Sequence, residues 1–356
     1  MSVNQQSATH NTSALIDVLL TQTSLSFSQS QQLFDAIMQG KVNNIALSAL
    51  LVALKLKGEV SDEIAGAAAS MRANAVPFNT KLAMLADSCG TGGDGSNTIN
   101  ISTTAAIVAA ACGINMVKHG NRSVSSNSGS ADLLKALGIN IDMTPDQAVA
   151  CLEQTGFTFL FAPHYHSGVR HAMEVRTTLK TRTIFNILGP LANPAAPEVQ
   201  LLGVYDENLC LAMAKTLKTL GTKRAMVVHG SGTDEIALHG KTTVVELNNG
   251  ELRQYTLSPA DFGLANYSLE QLAGEGPEYN ANASRAILAG TGTDAHNAAI
   301  IVNVAALLYL TGKVENFKAG AQHVVEVLKS GRALNTLNTI VEQSHKAVTN
   351  SEVTNG

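Results

Sequence analysis

The chain has 356 residues, of which 45% are hydrophobic and 15% charged, and its 24 basic and 28 acidic side chains leave a formal net charge of −4. That composition excludes long disordered spans, and the absence of any basic run argues against non-specific nucleic-acid binding, which depends on neutralising phosphates. At about twice the usual single-domain size, the chain is expected to hold one large α/β unit and a smaller one.

Residues 1–12 lack the basic and apolar regions of a secretory leader, and no stretch of about 18 apolar residues follows, so neither secretion nor a membrane span is expected. From Ser13 to about Val76 apolar residues recur at helical spacing, as in Leu15, Val18 and Leu19, then Leu33 and Ile37. Ser28 with Gln31 is read as a capping box and Gly40 as a C-cap, and Ser61 with Asp62 and Glu63 as the start of another helix. That helix continues IAGAAASMRANA, Ile64 to Ala75, small enough for close approach of a neighbouring helix inside the chain or of a second subunit.

Near Leu85 the pattern changes to short apolar runs ending in glycine-rich turns, the mark of βα units. Strands are predicted at Ala83–Ser88, Ile114–Lys118, Phe157–Phe161, Val199–Val204, Arg224–His229 and Thr242–Leu247. Tyr165–Leu188 interrupts the alternation as a mostly helical stretch expected to pack back on the N-terminal helices. The small domain is therefore read as 12–82 joined in space by about 165–195, and the α/β domain as 83–345. After Ser258 come a loop region, a helix near Asn280–Ala289, an Ala-rich helix over Asp294–Thr311, a last helix ending near Gly331 or a little beyond, and frayed residues 346–356. The four cysteines, Cys89, Cys112, Cys151 and Cys210, form no Cys-x-x-Cys pair and are expected as reduced thiols in a cytoplasmic protein.

Four blocks carry the chemistry. DSCGTGGDGSNTINIST, Asp87 to Thr103, places Gly90, Gly92, Gly93 and Gly95 between a strand and an apolar helix, where backbone N–H groups and a helix N-terminus can meet an anion. Its spacing fits neither the dinucleotide nor the P-loop fingerprint. KHGNRSVSSNSGSAD, Lys118 to Asp132, forms a second polar loop after the next strand. Two such loops facing one another across the strand ends suit a ligand with more than one phosphate, helped by a metal ion. In GSGTDEIAL, Asp234 and Glu235 suit magnesium, which takes one or two carboxylates plus phosphate oxygens and water; alternatively they mark a helix N-terminus. The stretch Phe161 to Pro194 supplies His164, His166, Arg170, His171, Arg176 and Arg182, with no zinc-type spacing. One of its arginines can grip a carboxylate bidentately, and Arg182 is read as structural, tying a helix to the NILGPL turn.

Taken together, DSCGTGGDGSNTINIST, KHGNRSVSSNSGSAD, VRTTLKTRTIFNILGPLANP and GTDE resemble the anthranilate phosphoribosyltransferase family, from about Ser13 to Leu337. The resemblance implies a small helical domain hinged to a large α/β domain, the nucleoside phosphorylase/phosphoribosyltransferase fold. It implies transfer of a phosphoribosyl group from 5-phosphoribosyl 1-diphosphate to anthranilate in tryptophan biosynthesis, with no covalent nucleophile or strong base. Phosphoribosyl diphosphate would contact Gly90, Gly93, Asp94, Thr98, Asn100, Ile101, Ser102 and Thr103, then Lys118, His119, Gly120, Asn121, Arg122, Ser123, Val124, Ser125, Ser126 and Ser130. Anthranilate would lie near Gly90, Asn121 and Arg176. Two magnesium ions per subunit are implied, one on Ser102 and one on Asp234 and Glu235, in a homodimer formed through the N-terminal helices. The family's usual His-Pro-Ala-Met run is replaced by His166, Ser167, Gly168 and Val169. Nucleoside phosphorolysis is the neighbouring activity, tested by free base released from thymidine and phosphate. A non-catalytic nucleic-acid binder is the other class, tested by filter binding at low salt.

Overall fold

The computed structural model describes residues 14–123 and 127–346. Seven strands form one sheet: β1 (Leu85–Gly90), β2 (Asn115–Gly120), β3 (Phe157–Phe161), β4 (Val199–Gly203), β5 (Arg224–Gly230), β6 (Thr242–Asn248) and β7 (Glu251–Leu257). Their spatial order is β3-β2-β1-β4-β5-β6-β7. β1 to β5 run parallel, and β6 and β7 add antiparallel to β5. The chain moves outward from β1 to β3, then returns to β4 beside β1 and moves the other way. The strand order therefore reverses between β1 and β4, and the connections leaving their C-terminal ends diverge to open a crevice.

Both sheet faces are covered, so the strands read as nearly continuous apolar runs. Leu201, Met226, Val228 and Val244 face a core shared with helices Ile101–Ala111, Pro145–Thr155, Asp294–Leu310 and Phe317–Lys329. Their alternates Leu202, Ala225, Val227, Val245 and Leu247 face a second core, which continues into the N-terminal helices. These are residues 14–20, Phe27–Met38, Asn44–Lys57 and Ser61–Ala73. Helix Arg170–Leu179 packs on Phe27–Met38 and Asn44–Lys57. The expected architecture, a small helical bundle joined to an α/β unit, is present, and no helix among the described residues is long and apolar enough to cross a membrane.

The small residues of Ser61–Ala73 serve intrachain packing. A Cβ on Gly66 would come within 2.3 Å of the Phe27 carbonyl oxygen, so Phe27–Met38 lies directly on it. Glu63 is fully buried and accepts from the backbone N–H of Leu25 (2.8 Å) and Val60 (3.0 Å) and from Lys57 Nζ (2.8 Å).

Several local expectations shift. The first capping box is Ser26 with Gln29, not Ser28 with Gln31, because the chain enters that helix from buried Leu25. Val60 is the N-cap of the helix assigned to Ser61, with Glu63 accepting its N–H. β7 was not expected: its burial alternates only weakly, and the turn at Asn248–Gly250 folds it back along β6. Gly331, at φ +75°, separates two helices, and Arg332–Ser344 continues beyond the predicted end. Residues 347–356 of the expected frayed end lie outside the described residues.

Candidate active site

Four strands, β1, β2, β4 and β5, end in glycine: Gly90, Gly120, Gly203 and Gly230. Gly90 and Gly203 are register partners across the crevice where the strand order reverses. The loop carrying Asp234 and Glu235 lies flat on these ends. A Cβ on Gly203 would come within 1.6 Å of the Asp234 carbonyl oxygen, one on Gly90 within 2.1 Å of Asp234 Oδ2, and one on Gly230 within 2.3 Å of the Glu235 carbonyl oxygen. Only glycine admits that loop.

The glycine-rich segment after β1 closes over the same place. Gly92 N donates to Asp234 Oδ2 (2.6 Å), Asp234 N to Asp94 Oδ2 (3.3 Å), and Ser96 N to Asp94 Oδ1 (3.1 Å). Asp94 and Asp234 are thus brought together, with Glu235 next in the same loop. Burial first, and then the neighbouring Asp94, raises Asp234 above the usual carboxylate range. Glu235 is pushed well up by burial and by Asp234, against the pull of Lys118. No helix follows this acidic pair, so the helix-terminus alternative falls away. Among the described residues no group of three or more acidic, histidine or cysteine side chains is placed to hold a metal ion; what fits magnesium is the adjacent pair Asp234 and Glu235, since that ion takes one or two carboxylates beside phosphate oxygens and water.

The two polar loops are tied together at the N-termini of the helices they feed. Asn100, N-cap of Ile101–Ala111, donates from Nδ2 to Ser128 O (2.9 Å) and accepts at Oδ1 from Asn280 (2.9 Å), while Thr103 Oγ1 donates to Ser130 Oγ (3.1 Å). Lys118 is buried beneath them, its Nζ donating to Ser88 O (2.6 Å) and Ser102 Oγ (3.4 Å). Thr98 is bridged to Ala273. Ile101 sends its side chain into the core and its N–H to Ile99 O (2.7 Å), so it presents no donor.

Asp132 organises the second loop, accepting from the N–H of Ser123 (3.0 Å) and Gly129 (3.0 Å) and pairing with Arg122 (3.5 Å). Asn121 accepts from Arg122 N (2.7 Å). Val124, Ser125 and Ser126 lie outside the described residues. His119 is buried with Nδ1 3.2 Å from Gly189 O, and burial drops its pKa to about 3, so it contributes no positive charge at neutral pH. Its ring lies edge-on to that of His166, at 5.0 Å.

Arg176 stands on helix Arg170–Leu179 with its guanidinium over the Phe185 ring, 5.1 Å from the centroid. Its Nη1 lies 3.9 Å from Met173 Sδ, and no hydrogen bond joins it to Gly90 or Asn121. Arg182 departs from its expected place. It does not tie the NILGPL turn; it donates to the Gly93 carbonyl and stacks 4.2 Å over the Tyr205 ring. Sequence reasoning also passed over Asp132 and Asn193. Asn193 is fully buried and donates to Asp87 Oδ2 (2.9 Å) and Val117 O (2.7 Å), pinning β1 to β2 below the crevice. For Asn193 the signal was present, in the conspicuous amide ending NILGPLAN.

The glycosyl transferase family's helical bundle domain matches residues 13–75 and its a/b domain residues 82–334. The anthranilate phosphoribosyltransferase of Pseudoalteromonas translucida is 74% identical over 345 residues, covering 97% of both chains. The crystal structure of anthranilate phosphoribosyltransferase from Thermus thermophilus superposes with a TM-score of 0.89 at 40% identity, over 93% of this chain and 99% of that one. The Saccharomyces cerevisiae enzyme in complex with PRPP (phosphoribosyl diphosphate) and Mg gives 0.85 at 30% identity, over 94% and 97%.

Proposed function

Because the chain belongs to the anthranilate phosphoribosyltransferase family, we propose that it is a pentosyltransferase joining the phosphoribosyl group of 5-phosphoribosyl 1-diphosphate to anthranilate, with release of diphosphate, in tryptophan biosynthesis. The observation that carries this reading is the seating of the Asp234–Glu235 loop on glycine-ended strands, with Asp234 N on Asp94, at the point where strand order reverses.

The sugar donor lies along the loops at Gly90–Thr103 and Lys118–Ser130, where backbone N–H groups and hydroxyls take its phosphate oxygens. Asp234 and Glu235 would hold one magnesium ion and Ser102 a second, and ions held there would supply positive charge against that gained by the departing diphosphate. Lys118, held under Ser102, adds a fixed positive field below the same place. Anthranilate enters from the helical side, its carboxylate on Arg176 and its ring near Gly90 and Asn121.

The bond from the anomeric carbon to the diphosphate oxygen breaks and one to the anthranilate nitrogen forms, after which the nitrogen loses a proton. An aromatic amine is neutral and nucleophilic at pH 7, which is why the site holds amides, hydroxyls and glycines in place of a Ser-His-Asp set. Placement does the remaining work. The helical body, 12–82 with 165–195, hinges on the α/β body, 83–345, and its closure aligns the amine and excludes water.

The protein is a cytoplasmic homodimer. Ile45 and Leu56 are 85% and 81% exposed and share one face of Asn44–Lys57 with half-exposed Val52, an apolar stripe suited to a second copy. Loss of anthranilate fluorescence on adding phosphoribosyl diphosphate and magnesium tests the activity; a steady signal overturns it.

A further inference from the structure

Arg182 sits in the short strap that leaves helix Arg170–Leu179, the helix that carries Arg176. The strap is held at both ends. Lys180 turns it through the left-handed region at φ +46°, Lys55 of the helical body donates to Thr181 Oγ1, and Thr183 N donates to Asn186 Oδ1 at 3.0 Å. From this strap the guanidinium crosses to the α/β body and donates to the Gly93 carbonyl. It lies flat on Tyr205, and Tyr205 in turn donates its own N–H to Thr91 Oγ1 at 3.1 Å. Both partners of Arg182 therefore belong to, or are bonded to, the glycine-rich loop.

Gly93 has φ +78°, and a Cβ there would meet Nη2 at 3.3 Å and Cζ and Nε at 3.6 Å, so the whole guanidinium rests on that residue. A trans peptide holds its C=O and the following N–H on opposite sides. With the Gly93 carbonyl turned to Arg182, the Asp94 N–H is turned away from it, and among the described residues no hydrogen bond uses the N–H of Gly93, Asp94 or Gly95. Resting on the reading above, we infer that Arg182 is a positioning residue: it clamps the Gly93 peptide so that the donors after it face the diphosphate, and it links that loop to the strap behind the anthranilate arginine.

The test reads diphosphate separately from transfer. Calorimetric titration with inorganic diphosphate and magnesium, together with both Michaelis constants, is run on the wild type, Arg182→Ala, Arg182→Lys and Tyr205→Leu. Arg182→Ala is expected to weaken diphosphate binding and raise KM for the sugar donor by about tenfold, with the anthranilate KM within about twofold. Lysine, a point charge without the planar fork, leaves most of the defect, and added methylguanidinium restores Arg182→Ala. Tyr205→Leu, which removes the platform, moves the same quantities less; these two variants carry the comparison should the alanine variant fail to fold. Unchanged diphosphate binding in the variants, or equal rises in both KM values with no rescue, overturns the inference, as does a wild type that binds no diphosphate. A wild type that binds diphosphate through Arg182 yet transfers nothing to anthranilate leaves the inference standing and overturns the proposed activity.

Discussion

Gly203 supports the main chain of Asp234: a Cβ on it would lie 1.6 Å from the Asp234 carbonyl oxygen and 2.4 Å from its carbonyl carbon. Backbone cannot swing aside as a side-chain tip can. Gly203→Ala is therefore expected to cost about 1–3 kcal/mol of stability and to lift the acidic loop off the strand ends. Gly90→Ala meets only the Asp234 carboxylate at its nearest point, so it should lose less stability while still displacing that acid. Thermal melts beside steady-state rates separate the two, and a Gly203→Ala enzyme with wild-type melting and turnover would show that the loop is not seated as described.

Asp234→Asn with Glu235→Gln removes the crowded acids. Turnover should fall at least about tenfold, roughly 1.4 kcal/mol of barrier. A magnesium titration reads the cause: the double variant should need more magnesium for half-maximal rate, and a dependence identical to the wild type would remove these residues from metal binding.

Arg176→Ala should raise the Michaelis constant for anthranilate more than that for the sugar donor. Phe185→Leu, which withdraws the ring under the guanidinium, should shift the same constant by less. Equal changes in both constants would mean that the carboxylate is gripped elsewhere.

Burial lowers His166 to about 4 and His119 to about 3, so both rings stay neutral in the folded protein down to acidic pH. The unfolded chain takes up these protons near pH 6.5, so between about 4 and 6.5 it binds more protons than the native state. Stability from these groups is full above pH 6.5 and is lost as the pH falls, by up to about 1.4 kcal/mol per histidine per pH unit. The raised acids Asp234 and Glu235 act in the opposite sense, so the comparison is between variants. Between about pH 4 and 6.5 the melting temperature of His166→Gln should rise less, or fall more, with increasing pH than that of the wild type; parallel curves would contradict the assignment.

Ile45→Glu with Leu56→Glu charges the exposed stripe of Asn44–Lys57. Sedimentation should show the dimer replaced by monomer, with melting of the isolated fold little changed. A double variant that sediments with the wild-type mass would place the subunit contact on another face.

Much of the fold was legible because its strands are buried on both faces and its helices alternate with them; β3 was placed to the residue and β5 and β6 to within one residue at their ends. β7 was not, since an edge strand bearing Glu251, Arg253 and Gln254 has little apolar pattern to read. Ser26 and Ser28 both stand three residues before a glutamine, and the choice between them depends on how deeply Leu25 is buried, a tertiary fact. Of the site, the two loops and the acidic pair were visible as local blocks. The approach of Asp94 to Asp234, across 140 positions, and the reach of Arg182 to Gly93, across 89, leave no local trace.

Strands that finish in hydrogen atoms instead of side chains leave the bottom of the crevice chemically blank. At Gly203 and Gly230 variation has almost nothing to act on, because an added carbon would overlap the main chain of the loop above it. On the proposed reading, a change of amine is therefore expected to fall on the residues around Arg176 and Phe185, while the glycine floor proposed for the phosphates stays as it is.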